Sequence, residues 1–414
     1  MLYQSLSGVK VLDLSRIMAG PWCTQNLSDL GAEVLKVESP GLGDDTRGWG
    51  DPYLAGTTEE DGFSAYFISA NRGKRSLAVN FADPEGSEIV RRLARDADVV
   101  VENFKTGSLR KYGLDYEALR EINPNLVYLS ITGFGQTGPM AQFPGYDYVF
   151  QGMGGLMSYT GLPDGQPGAM PLRTGVAVVD LMTGMYATSA VLAALYQRLV
   201  SGQGQHLDIA LLDVAVAMNA NQGSNYLVTG KNPQRTGNAH PNCAPYEVFE
   251  TGDGFMILAI GNDGQFGQFC KVAERGDLAT DSRFTTNSQR LANMPQLRPI
   301  LAEVLKDRTS AQWQAELDAV GVPWGPINTL EQVFEHPQVK HRQLRLDAEH
   351  ADHGTIPMVR NPLTTVSPSG REIQPPPGRG EHSRTVLEEL GMSHEEIDEL
   401  LSAGVIAEMK EYSK

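Results

Sequence analysis

Cysteine is scarce in this chain. Cys23, Cys243 and Cys270 are the three in 414 residues, and they follow no motif spacing. That excludes a disulfide scaffold and a cysteine zinc site, and fits a reducing, cytoplasmic setting. The eight histidines show no H-E-x-x-H or similar ligand spacing, so no metal is expected. Positive charge is short as well, with 34 Lys and Arg against 50 Asp and Glu and a formal net charge of −16. Nucleic acid is excluded as the main partner, because phosphate backbones need a basic face. The longest apolar stretch, around 181–196, is broken by Thr183, Gly184, Thr188 and Ser189. It reads as a buried helix too short and mixed to span a bilayer, so no membrane partner is expected. The N-terminus has no charged segment leading into an apolar one, and no secretion signal is expected. The first strand-to-helix turn, Ser15-Arg16-Ile17-Met18-Ala19-Gly20, is not G-x-G-x-x-G. NAD is therefore not an expected cofactor.

What is present is strand–helix alternation. Short apolar runs at 9–14, 33–38, 75–80, 98–102 and 126–131 read as strands, with helices at 21–30 and 83–95 between them. This order predicts an α/β fold with a doubly wound parallel sheet. A helix at 181–199, a strand at 206–210 and a helix at 211–228 follow. Composition turns polar near residue 229. Two strands joined by Thr-Gly-Asp-Gly (251–254) and helices at 264–274, 287–306 and 309–320 then suggest a smaller α+β domain. The expected division is 1–228 for the large domain, 229–325 for the small one and 326–414 for a return segment, which ends in a helical pair.

Asp180 is the most informative residue. It interrupts the run Gly-Val-Ala-Val-Val (175–179) directly before a long helical stretch. A carboxylate among aliphatic side chains is costly unless it is hydrogen-bonded, neutralised or used. One reading is a helix N-cap; the other is a desolvated nucleophile for an acyl carbon. Arg173 stands seven positions earlier, and an extended connection at ~3.3 Å per residue would keep the two more than about 20 Å apart.

Elsewhere, Asn71-Arg72-Gly73-Lys74-Arg75-Ser76 gathers three cations around a glycine, which suits either a phosphate site or a solvated turn. Asn103, Phe104 and Lys105 follow the fourth strand, where a nucleotide edge binds in such sheets, or where a cap with a packed ring sits. The loop Gly237-Asn238-Ala239-His240 is a candidate lid, with an ordinary exposed histidine as the plain alternative.

These segments resemble the family III CoA-transferases of the CaiB/BaiF type. The resemblance rests on V-L-D-L-S-R-I-M-A-G-P (11–21), G-A-E-V-L-K-V-E (31–38), T-R-G-W (46–49) and N-R-G-K-R-S (71–76). It continues through V-V-V-E-N-F (99–104), K-Y-G-L-D-Y (111–116), I-T-G-F-G-Q-T-G-P (131–139), P-G-Y-D (144–147) and R-T-G-V-A-V-V-D (173–180), then V-P-W-G-P-I-N (322–328) and G-E-H-S (380–383). It implies an interlocked ring homodimer whose large domain uses both chain ends. It also implies a CoA-transferase in which Asp180 is the nucleophile and carries CoA as an aspartyl thioester between anhydride intermediates. CoA contacts are implied for Met18, Ala19, Asn71, Arg72, Gly73, Lys74, Asn103, Phe104, Lys105, Lys111, Tyr146 and Asp147. Ser39 and Lys111 stand where the formyl-CoA transferases of this family have arginines, and Lys111 keeps charge without a fork. The C-terminal half looks most like members using succinyl-CoA or another dicarboxylyl-CoA, with Arg16 and Arg47 as candidate anchors for a second carboxylate. Gly237, Asn238 and His240 take the place of the lid. Two alternatives are an α-methylacyl-CoA racemase-type isomerase and a non-catalytic acyl-CoA-binding protein. Tyr146 stands where the racemases have a histidine base, and tyrosine is a poor base at neutral pH.

Overall fold

The computed structural model describes residues 4–363 and 373–409. The chain forms two compact units. The first comprises Met1–Leu156, Arg173–Ser224 and Gln338–Lys414, and the second Met157–Leu172 and Asn225–Pro337. The sequence had placed 157–172 in the large domain and the breaks at 229 and 326.

In the first unit the order is β1 (Lys10–Asp13), α1 (Ala19–Asp29), β2 (Glu33–Glu38), α2 (Ala65–Asn71), β3 (Lys74–Val79), α3 (Pro84–Arg95), β4 (Val99–Glu102), α4 (Tyr116–Ile122) and β5 (Val127–Thr132). Then come α5 (Asp147–Met153), α6 (Val178–Ser201), β6 (Gln205–Ala210), α7 (Leu211–Ala217) and α8 (Ala220–Thr229), whose residues from Asn225 on belong to the second unit. The second unit holds β7 (Tyr246–Thr251), β8 (Gly254–Ala259), α9 (Asp263–Val272), α10 (Gly276–Thr280), α11 (Asn287–Lys306), α12 (Ser310–Val320), β9 (Trp324–Pro326) and α13 (Leu330–Glu335). After α14 (Pro337–His341) the chain adds the hairpin β10 (Arg345–His350) and β11 (Gly354–Val359). It ends with α15 (Ser383–Glu389), α16 (His394–Ser402) and β12 (Ile406–Ala407).

The main sheet has seven strands in the order β12-β3-β2-β1-β4-β5-β6. All neighbours are parallel except β12, which runs antiparallel on β3. Strand residues alternate between two apolar layers, as a sheet covered on both faces requires. Val11, Val99, Val101, Val127 and Leu129 pack with α1, α6 and α7. Leu12, Val37, Leu77, Val100 and Tyr128 pack with α3, α4, α15 and α16. Both chain ends thus build one domain. The second unit has its own core, with Trp313, Phe269, Met256 and Leu301 fully buried around the three-stranded sheet β7-β8-β9.

Two local expectations change. The helix behind Asp180 runs 24 residues and buries Val179, Thr183, Ala187, Val191 and Ala194. The helix expected over 211–228 breaks into α7 and α8 at Ala220, whose φ is +42°. There the Asn219 amide donates to Gly154 O, Ala215 O and Val216 O, so a side chain satisfies the backbone that a continuous helix would have paired.

Candidate active site

From β1 the chain steps outward one way to β2 and β3, and resumes on the other side with β4. The reversal between β1 and β4 is the switch point where open α/β sheets bind ligands, outside the carboxyl ends of the strands. The two strand exits are tied together there. Asn103 Oδ1 accepts from Arg16 N at 2.9 Å and Asn103 Nδ2 donates to Arg16 O at 2.7 Å. A pocket opens beside this clasp, lined by Ser15, Arg16, Ser39, Asn80, Phe81 and Phe104 among others. Arg16 lies 5.6 Å over the Phe104 ring and pairs with Asp45 at 3.0 Å, both partners exposed. Ile17 holds φ +72°, and its N–H donates to the buried Asp44 carboxylate, which helps fix this unfavourable conformation. Met18 and Ala19 are buried, and α1 begins here with no side-chain cap and no acid in its first turn.

Asp180 stands in the first turn of α6, whose N-cap is Ala177. The capping reading therefore fails for Asp180; Asp147 caps instead. Asp147 is buried, and its Oδ2 accepts from Val179 N at 2.7 Å and from Asp180 N at 3.1 Å. Among the described residues no hydrogen bond reaches the Asp180 carboxylate itself. Burial, and then the Asp147 charge, push the Asp180 carboxyl up to about 7. One turn further on, Gly184 lies on the same helix face. A Cβ there would meet Ala19 O at 2.8 Å and Trp22 at 2.9 Å, so α6 approaches the β1–α1 junction at backbone distance. The helix topology therefore brings Asp180 to the switch-point edge.

Other expected residues divide sharply. The cluster at 71–76 has its cations already paired. It enters β3 at its amino end, and Arg75 pairs with Glu389 at the surface at 2.8 Å. Arg72 pairs with Asp29 and donates to Val359 O at 3.0 Å. Lys74 Nζ reaches Asp13 at 3.1 Å, Pro21 O at 3.1 Å and Asn71 Oδ1 at 2.8 Å. Burial draws the Lys74 ammonium down to about 8 despite Asp13. Gly73, at φ +72°, donates to Gln374 O. Arg47 is likewise engaged within the fold. It is 2% exposed, lies 3.7 Å from the Phe67 ring centroid, and holds both Glu38 oxygens at 2.7 Å. Ser39 lines the pocket, while Lys105 lines a separate groove and Lys111 is exposed over Tyr112. Tyr146 is 62% exposed at the start of α5. His240, in the second unit, stacks on Tyr246, and its Nδ1 accepts from Asn242 N and Cys243 N. Gly237 N donates to Gly161 O within the same unit.

Four residues escaped the sequence reading. Asn80 and Phe81 line the pocket because they leave β3 at its carboxyl end, a signal available from the strand assignment itself. Tyr66, on α2, feels both carboxylates: burial, then Asp180 and Asp147, raise its phenol above the usual value. Gln151 bridges Asp147 Oδ1 at 2.6 Å to Thr174 N at 3.0 Å. Among the described residues no His, Cys, Asp or Glu group could hold a metal.

The chain and its architecture have counterparts among known proteins. The model of CoA-transferase family III matches residues 6–383. The succinate–glutarate CoA-transferase of Agrobacterium fabrum is 52% identical over 93% of this chain and 95% of its own. The human succinyl-CoA:glutarate CoA-transferase is 44% identical over 97% of this chain and 90% of its own. Among solved structures, a CaiB/BaiF family protein from Brucella suis superposes with a TM-score of 0.82 at 48% identity, covering 93% of this chain and 98% of that one. A capped helix start presenting an aspartate whose carboxylate has no hydrogen bond among the described residues, at the switch point of a doubly wound sheet, is thus set in a match over nearly the whole chain, and the chain belongs to CoA-transferase family III, enzymes that pass CoA from an acyl-CoA thioester to a carboxylate.

Proposed function

We propose that the chain exchanges CoA between succinyl-CoA and a second dicarboxylate such as glutarate, through a thioester carried on Asp180. The observation that carries the mechanism is the Asp180 carboxylate: presented at a helix start, hydrogen-bonded to nothing among the described residues, and raised in basicity by burial and then by Asp147. The choice of acids is supported by the names of the relatives above.

The steps balance without ATP or water. An Asp180 oxygen attacks the succinyl carbonyl, the C–S bond breaks, and an aspartyl–succinyl anhydride forms with CoA thiolate. The thiolate attacks the aspartyl carbonyl, giving aspartyl-CoA and free succinate. Glutarate then attacks the aspartyl thioester, releasing thiolate and forming a second anhydride. The thiolate takes the glutaryl group, and the Asp180 carboxylate is restored. Anhydrides hydrolyse, so the partial burial of Asp180 serves the chemistry. The nucleotide end of CoA fits the switch-point pocket, with Arg16 for phosphate charge and Phe104 for the base.

Incubation with succinyl-CoA, trapping with hydroxylamine and peptide mass spectrometry should place the modification on Asp180, and a screen of acids should favour dicarboxylates. Modification at another residue, or activity confined to monocarboxylic acids, overturns the reading.

A homodimer belongs to the same proposal. Tyr196, Leu199 and Val200 on α6 are 71–83% exposed, an apolar face unusual for bare surface. Light scattering should give twice the chain mass, and Leu199→Glu should lower it; a monomeric wild type ends this part.

A further inference from the structure

The Asp147 carboxylate has two oxygens with different tasks. Oδ2 holds the backbone of Val179 and Asp180. Oδ1 holds Gln151, whose Oε1 in turn accepts from Thr174 N at 3.0 Å and Thr174 Oγ1 at 3.3 Å. Thr174 Oγ1 also reaches Val176 O at 2.9 Å. The segment before α6 is therefore turned, not extended, and residue 174 is fixed to the same carboxylate as the nucleophile's N–H. A separation of more than about 20 Å between Arg173 and Asp180 required an extended connection; the turn removes that requirement.

Arg173 sits at the end of this chain of bonds. Its guanidinium lies 5.6 Å over the ring of Tyr148, the neighbour of Asp147. Among the described residues its guanidinium donates to Thr174 O alone, at 3.3 Å. Among the described residues no carboxylate comes within ion-pair distance of it, although Asp and Glu outnumber Lys and Arg by 50 to 34. Of the arginines that sequence suggested for a second carboxylate, Arg47 is held by Glu38, and Arg16, beside Asp45, is assigned above to the CoA phosphates. An exposed, unpaired guanidinium held in register with the nucleophile has its fork available for an incoming acid. Fully extended glutarate separates its carboxyl carbons by only about 5 Å.

We infer that Arg173 determines specificity by gripping the distal carboxylate of the dicarboxylic substrate while the near carboxyl reacts at Asp180. The inference rests on the function proposed above, and it names the residue that makes a dicarboxylate preferable to a monocarboxylate of equal length.

The test compares wild type, Arg173→Gln and Arg173→Lys with succinyl-CoA as donor and either glutarate or pentanoate as acceptor. In Arg173→Gln the ratio of kcat/KM for glutarate over pentanoate should fall at least tenfold, chiefly through KM for glutarate. Arg173→Lys should fall between, because it keeps charge without the fork. Trapping of CoA on Asp180 should persist in both variants. A ratio unchanged from wild type, or equal losses on both acids, overturns the inference while the function stands. A wild type that shows no glutarate preference, or no adduct on Asp180, overturns the function itself.

Discussion

Asp180→Asn should abolish CoA transfer, lowering kcat by about 10⁴-fold or more, as removal of a nucleophile does. The same substitution should make the protein more stable at pH 8. Asp180 holds its proton up to about 7 in the fold against an ordinary 3.8. A carboxyl whose affinity for the proton rises on folding opposes the native state once it ionises. The wild type therefore loses stability as pH climbs from near 4 through 7, and the loss is complete above 7. Asparagine has the same shape and no charge to desolvate. Urea denaturation at pH 8 should show a gain of about 1–3 kcal/mol, shrinking toward zero at pH 4. In the active enzyme, kcat/KM should rise with pH through about 7 as the nucleophile is unmasked. A fully active Asp180→Asn enzyme would remove the basis of the mechanism; a variant equally stable at both pH values would remove the electrostatic part alone.

Arg47→Met should be the most destabilising surface-neutral change in the first unit, at about 3–5 kcal/mol. Its guanidinium spans both oxygens of Glu38, donates to Gly62 O and Pro377 O, and covers Phe67. Methionine fills part of the volume and leaves Glu38 charged in a buried place. Burial alone would raise the Glu38 carboxyl, but Arg47, with Lys36 and Ser76, holds it at about 2. The stability this contributes is present above pH 4.5 and drains away as pH falls toward 2. The difference between wild type and Arg47→Met should accordingly be widest near neutrality and narrow in acid. Adding Glu38→Leu should recover part of the loss, since it is the abandoned charge that costs most. If Arg47→Met instead left the urea midpoint unchanged and raised KM for the acid, the residue would be an anchor after all.

The α/β order was legible because strands buried on both faces must be apolar throughout, and Val99-Val100-Val101 or Val127 to Ile131 can hardly read otherwise. Asp180 was legible because one charge in an aliphatic run stands out. Its environment was not, because the cap comes from Asp147, 33 positions away, and no local pattern joins the two. The pairing of the cluster at 71–76 was hidden for a related reason. Composition counts cations, but it cannot say that Asp13 and Asp29 will consume them, nor at which end of a strand they will lie. Arg47 went the same way, absorbed by Glu38. Arg173 shows the converse, a cation left without an acid among the described residues.

The sheet is finished late in synthesis. β3 receives its outer neighbour only from Ile406 and Ala407, which pair with Val79 and Ala78. At about 5–20 residues per second, roughly 15–65 s of translation separate the two. For that interval a nascent chain carries a bare parallel edge, a template for stray strands and a reason to expect chaperone dependence. The second unit, inserted in between with its own core, is free to settle on the ribosome first.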